Sequence, residues 1–350
     1  DMYTASVALP AVYGTGSPKG NNAEMKTDGW ELSLSWRDSF KLGGKPFDYS
    51  IKAMVWDSKS VITKYVNDTG SLGTVKGFIE NGGSPSSYYV GMTVGEIWGY
   101  TVAGLFRDQA DIDSSAIHDF VQASDKVTRP GQVKIADLDG NGFIDPGNFA
   151  VDDHGDLRII GNQSPRYRYG VNLSARWNGI GLSVFLQGVG ARDWYPGSDA
   201  GMFWGKYGRP FFALIPSIHN YTDDMYSAER NNWDTAYWPR MTTYQSNGTK
   251  NWTRLLEIPN TRYIQSAAYL RVKNIQLDYS FPKHICSAIR LQGLKIYVNA
   301  ENLFTFTPLH KYAPNFDPEG LSYDSDFASA ADGYTYPILK SVTVGVNITF

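Results

Sequence analysis

The sequence predicts an all-β fold: about eight antiparallel strands of a large transmembrane β-barrel, with long loops gathered at one end. Two observations carry that expectation. Apolar and polar residues alternate along segment after segment, which gives each strand one greasy face and one polar face. The connections between the segments alternate strictly between long and short, as in bacterial outer-membrane barrels with short periplasmic turns and long extracellular loops.

The first strand is read at Tyr3, Ala5, Val7 and Leu9, and a long connection, Pro10 to Gly29, follows. Trp30, Leu32, Leu34 and Trp36 then alternate with Glu31, Ser33, Ser35 and Arg37. After a short link from Ser39 to Pro46 come Phe47, Tyr49, Ile51, Ala53 and Val55 against Asp48, Ser50 and Lys52. A very long connection, Asp57 to Arg166, leads to Tyr169, Val171, Leu173, Ala175 and Trp177. Asn178 and Gly179 alone separate these from Ile180, Leu182, Val184 and Leu186. The next strand, Ala268 to Tyr279, follows another very long connection and changes phase near Lys273 and Asn274, which predicts a bulge. Leu294, Ile296, Val298 and Ala300 form the seventh strand, after a short link, Phe281 to Leu291. A long connection, Phe304 to Lys340, precedes the last: Val342, Val344, Val346, Ile348 and Phe350 alternate with Ser341, Thr343, Gly345, Asn347 and Thr349. Trp30, Trp36, Trp177 and Tyr279 lie near strand ends, where interfacial aromatic girdles belong.

Composition fits this fold and narrows the function classes. Aromatics make up 14% of the chain and glycines number 35, yet no run of eighteen apolar residues exists to form a spanning helix. A net charge of -3 argues against a nucleic-acid surface. Cys286 is the one cysteine, so disulfides and multi-cysteine metal sites are excluded and the thiol is read as inert. His118, His154, His219, His284 and His310 show no metal-ligand spacing, and no nucleophile elbow, phosphate loop or marked carboxylate pair appears. The chain is therefore read as non-enzymatic.

The segment 106–166 is read as an extracellular loop carrying an acidic turn. Asp137, Asp139 and Asn141 occupy positions 1, 3 and 5 of an EF-hand-like loop, Gly142 the sharp turn at 6, the Phe143 carbonyl position 7 and Asp145 position 9. Asn148 stands where a bidentate acid is usual at position 12, so Asp152, Asp153 or Asp156 is needed to complete a shell. The expectation is a structural Ca²⁺ that stiffens the loop. The segment 191–267 is a second long extracellular loop, rich in rings: Trp194, Tyr195, Phe203, Trp233, Tyr237 and Trp238 among them. These are read mainly as the loop's own mini-core. Trp204, Tyr207 and Trp252 are the positions favoured for stacking on a cargo.

Asp137 to Asp145 (DLDGNGFID) followed by Ile159 to Leu173 (IIGNQSPRYRYGVNL) resembles a signature of the SusC/RagA family of TonB-linked outer-membrane proteins. Gly188 to Gly197 (GVGARDWYPG), Tyr269 to Leu277 (YLRVKNIQL), Asn299 to Phe304 (NAENLF) and the strand ending in Phe350 agree in family order. The resemblance implies a twenty-two-stranded barrel, of which residues 1–350 are the C-terminal portion. The plug and the TonB-interacting segment are not seen in this sequence and are expected in the rest of the receptor, with TonB engaged through that part. It further implies import of oligosaccharides, or of peptides as in the RagA type. A SusD-like surface lipoprotein is the implied partner, in the outer membrane of a Gram-negative, Bacteroidetes-like bacterium. Phe350 resembles the C-terminal aromatic that serves as an assembly signal in such barrels. The competing reading from composition alone is a secreted carbohydrate-binding β-sandwich.

Overall fold

The computed structural model describes residues 2–5, 14, 19–74, 78, 83–117, 128–196, 203, 224–240, 258–321 and 338–350. Its main body is an eight-stranded antiparallel sheet. The strands are β1 (Met2–Ala5), β2 (Lys19–Leu42), β3 (Lys45–Lys64), β8 (Arg166–Trp177), β9 (Ile180–Ala191), β12 (Tyr269–Ser280), β13 (Gly293–Phe306) and β14 (Ser341–Thr349). They lie side by side in that order. Each strand expected from alternation has a counterpart in one sheet, the first over Met2–Ala5 with Val7 and Leu9 outside the described residues; the exposed apolar face is unlike that of a β-sandwich, which packs such a face on a second sheet.

Register explains why the alternation is so regular. Trp36 lies opposite Ile51, Ile51 opposite Leu173, Leu173 opposite Val184, and the row continues through Ile275 and Ala300 to Val342. Residues directly opposite one another point to the same side, so these rows form one apolar face from β2 to β14. That face is bare: Trp36 is 62% exposed and Val344 73%. From Trp30 to Phe40 the outward row of β2, apolar except for Asp38 near its turn end, spans about 34 Å along the strand and, at barrel tilt, about 25 Å of height, the thickness of the apolar band of an outer-membrane barrel. The other face carries Arg37, Ser50, Ser174, Ser183, Gln276, Asn299 and Thr343 along one row.

The bulge falls where the phase change predicts it. Pairing of β12 with both neighbours shifts between Val272 and Asn274. Lys273 is the extra residue, and Leu270, Val272 and Ile275 all stay on the apolar face despite their spacing.

One end of the sheet has tight turns. Gly43 and Gly44 (φ 58° and 79°), like Asn178 and Gly179 (φ 47° and 87°), take the left-handed conformations that a two-residue hairpin turn needs. The third link at this end, 281–292, contains a short helix, Lys283–Ala288, that buries Cys286. The long connections all leave from the opposite end.

Strand limits differ from the sequence expectation. β2 begins at Lys19 and β3 continues to Lys64, so the first long connection ends earlier and the second starts later than expected. Alternation of apolar residues stops where the lipid-facing band stops, but hydrogen bonding does not. Beyond it, Thr27 bonds Ser60 (2.8 Å) and Lys64 pairs with Glu24 (3.3 Å), polar contacts suited to a hairpin standing in water. Trp36 consequently lies mid-strand and not in a girdle. Trp177 and Tyr279 do share an end row with Phe40, Phe47, Ile180 and Ile296.

The hydrophobic core sits in the long connections, not in the sheet. Small two-stranded sheets brace them, pairing β4 (Glu96–Tyr100) with β7 (Leu157–Asn162), β5 (Val102–Leu105) with β6 (Val133–Ile135), and β10 (Asp193–Trp194) with β11 (Gln265–Ser266). Trp98, Tyr100, Ile144, Trp194, Tyr195, Trp238, Tyr263 and Phe316 belong to one buried cluster. Tyr237 stacks on Tyr312 (3.6 Å between centroids), and Trp194 packs on Phe316 (4.9 Å), tying the loop before β12 to the loop before β14.

Candidate functional site

The acidic turn is built by its own backbone. Asp137 accepts from the N–H of Gly140 (2.6 Å) and Gly142 (2.9 Å), and Asn141 Oδ1 accepts from Phe143 N–H (2.7 Å). Gly140 and Gly142 hold φ of 76° and 86°, which a side chain would resist. Ile144 is buried and anchors the turn in the loop core.

The structure brings Asp137 and Asp139 together with Asp156: carboxylate oxygens of the three lie within 4.8 Å of one another. Asp156 is fully buried. It accepts from Leu138 N–H (2.6 Å) and Asp145 N–H (3.1 Å). Burial, with help from the charges of Asp139 and Asp137, pushes its carboxyl above the ordinary carboxylate range. Asp137 is held below that range, chiefly by the Gly142 N–H. Asp145 turns partly away: Oδ1 accepts from Gly147 N–H (2.7 Å) and Oδ2 from the Asn141 amide (3.2 Å). Among the three acids that could replace the missing twelfth ligand, Asp156 is therefore the one that converges. Asp153 instead bonds Asn148. Hard oxygens converging around a buried acid, with no side-chain cation paired to it among the described residues, fit a divalent ion of the calcium type. Spacing alone could not single out Asp156, because β7 and the turn before it bring it back.

The other expected positions separate cleanly. Trp204, Tyr207 and Trp252 lie outside the described residues, as do His118 and His219. Trp194, Tyr195, Phe203 and Trp238 are buried, so these rings serve the mini-core. His154 stacks edge-on against Trp98 (5.4 Å) and meets Arg158, a packing role. Phe350, 83% exposed, follows β14.

A site the sequence reading missed lies on the polar face near the loop end. Trp56 stands on that face, opposite Glu31 on one side and Arg168 on the other. Alternation read through Val55 stops one residue short of it.

No family model matches this chain. Over 350 residues it is 24% identical to TonB-dependent receptor P3 of Formosa agariphila, covering 98% of this chain and 30% of that protein. TonB-dependent receptor P26 of the same organism is 22% identical over 350 residues, covering 98% of this chain and 31% of that protein. A solved structure of the RagAB peptide transporter superimposes on 98% of this chain and 31% of its own, with TM-score 0.59 and 17% identity. Over nearly its whole length the chain is similar to part of a TonB-dependent receptor, and it shares the fold of part of the RagAB barrel. It spans about 30% of the length of the curated relatives it matches. The open sheet thus has the arrangement of part of such a barrel wall, with one apolar and one polar face.

Proposed function

We propose that this receptor segment forms the closing strands and outer loops of an outer-membrane importer of oligosaccharides, which works with a SusD-like surface lipoprotein and is energised through TonB. The observation that carries the reading is the two-faced sheet beneath a folded cap. An apolar face, interrupted on β2 by Asp38, suits lipid, a polar face suits a water-filled passage, and the packed loop core provides a surface on which a partner lipoprotein could seat. Ca²⁺ held by Asp137, Asp139 and Asp156, with the Phe143 carbonyl and Asn141 or Asp145 as further oxygens, would stiffen that cap. Phe350 would serve as the assembly signal.

A peptide cargo is the second reading, because the solved structure that shares this fold carries peptides. Deleting the complete receptor gene and measuring growth on single polysaccharides and on peptide mixtures decides between them. Loss of growth on a polysaccharide supports the glycan reading; loss confined to peptides overturns it.

A further inference from the structure

Trp56 is an indole on a wall otherwise dominated by short and polar side chains, and it is 37% exposed. Ser58 and Ser60, two and four residues on along the same strand, share its face. Next to them opens a cavity of about 160 Å³, lined by Ser58, Lys59, Ser60, Asn162, Ser164 and Arg168, with Thr93, Val94, Pro165 and Arg166 completing it.

No acid is among the residues that line this cavity, although Asp28 lies opposite Lys59 on β2. Arg166 is neutralised by Asp57, through its Nη2 (2.5 Å) and Nε (2.6 Å). Lys59 and Arg168 have no ion-pair partner among the described residues. Glu31 lies two strands from Arg168, about 10 Å at ordinary strand spacing, and Trp56 stands between them. Arg168 and Trp56 are direct cross-strand neighbours, about 5 Å apart at Cβ. A guanidinium offers a planar fork of donors to a carboxylate or sulfate, and an indole offers a flat apolar plate beside it. Hydroxyls and an amide at the rim can bond the remaining polar groups of a sugar.

We propose that Trp56, Arg168 and the adjoining cavity form a luminal subsite for an anionic oligosaccharide, with Arg168 taking the acidic group and Trp56 the sugar face. The inference rests on the oligosaccharide-import reading and deepens it by naming a cargo class.

Calorimetric binding to the full receptor with its lipoprotein tests it, using oligogalacturonate as the carboxylate probe, a sulfated galactan oligosaccharide, a neutral oligosaccharide of equal length and an acidic peptide. Tighter binding of either acidic sugar than of the neutral one is expected. Arg168→Gln should weaken the acidic probe about tenfold or more and the neutral probe less than about twofold, consistent with loss of one charge-assisted contact. Arg168→Lys should recover part of the loss, and Trp56→Ala should weaken both sugars. Preference for the carboxylate or for the sulfate probe identifies which acid the site takes. Equal affinity for acidic and neutral sugars, or an Arg168→Gln effect equal on both, overturns the subsite and leaves oligosaccharide import standing. Binding of the peptide alone overturns import of oligosaccharides and the subsite with it.

Discussion

Three acids meet at one point in the long connection between β3 and β8, and their separation in sequence conceals it. Asp137 and Asp139 belong to the turn; Asp156 arrives beneath it from the start of β7, fully buried. Three carboxylates this close repel, and one that is buried does so in a medium that screens poorly. A divalent ion turns that repulsion into ligation and stabilises the folded state by mass action. Thermal unfolding of the intact receptor should therefore move upward when Ca²⁺ is added and downward with chelator. Asp137→Ala combined with Asp139→Ala should abolish that response, as should Asp156→Asn alone. A chelator response of wild-type size in those variants would rule out this site.

The β12 bulge and the loop before β14 work as one element. Arg271, 3% exposed at its side chain, bonds Asp317 (2.5 Å) and Glu319 (2.6 Å), and the extra residue Lys273 also reaches Glu319 (2.8 Å). Thr305 holds the Arg271 Nε at 2.9 Å. These contacts latch segment 307–321 to β12. Burial alone would raise the Asp317 carboxyl, but the Arg271 guanidinium and the Glu319 and Ile338 N–H groups more than offset it and hold the group below its ordinary range. A depressed acid contributes stability that is complete above its unfolded value and is lost as pH falls through the folded one. Hydrogen exchange of loop 307–321 should thus rise as pH drops below the usual carboxylate range, after correction for intrinsic rates. Asp317→Asn should open the loop already at neutral pH, because it leaves Arg271 buried with one anion fewer; breaking a buried pair this way costs about 3–5 kcal/mol. Unchanged protection in that variant would mean that aromatic packing, not charge, holds the loop.

At the scale of the whole molecule, the two faces demand different solvents. Val344 and Thr343 are consecutive residues on β14, yet register sends one outward with Val298 and the other inward with Asn299. An arginine on the lipid face near the bilayer midplane costs about 2–4 kcal/mol, while a lumen-facing one is tolerated. Val344→Arg should therefore reduce folded receptor in the outer membrane, measured by heat-modifiable gel mobility, and Thr343→Arg should not. Equal losses in both would mean that the sheet's faces are assigned wrongly. Among the described residues the sheet edges at β1 and β14 are unpaired, and backbone groups left so in lipid would be costly unless further strands pair with them.

Much of this was legible in the chain because a strand in a membrane wall obeys a local rule. Period-two alternation placed the eight main strands, the Lys273 bulge and the Asn178-Gly179 turn, since lipid on one side and water on the other impose the pattern residue by residue. The same rule was silent once both faces met water, which is why β2 and β3 run longer than their apolar stretches. It was silent also in the loops, where two- to six-residue strands and a ring cluster assemble from segments far apart. The turn Asp137–Asp145 could be recognised from spacing, as ligands within one turn are neighbours in sequence. Asp156 as its third acid, the Arg271 latch and the Trp56–Arg168 pair were decided only by tertiary structure, because each depends on which strands lie side by side.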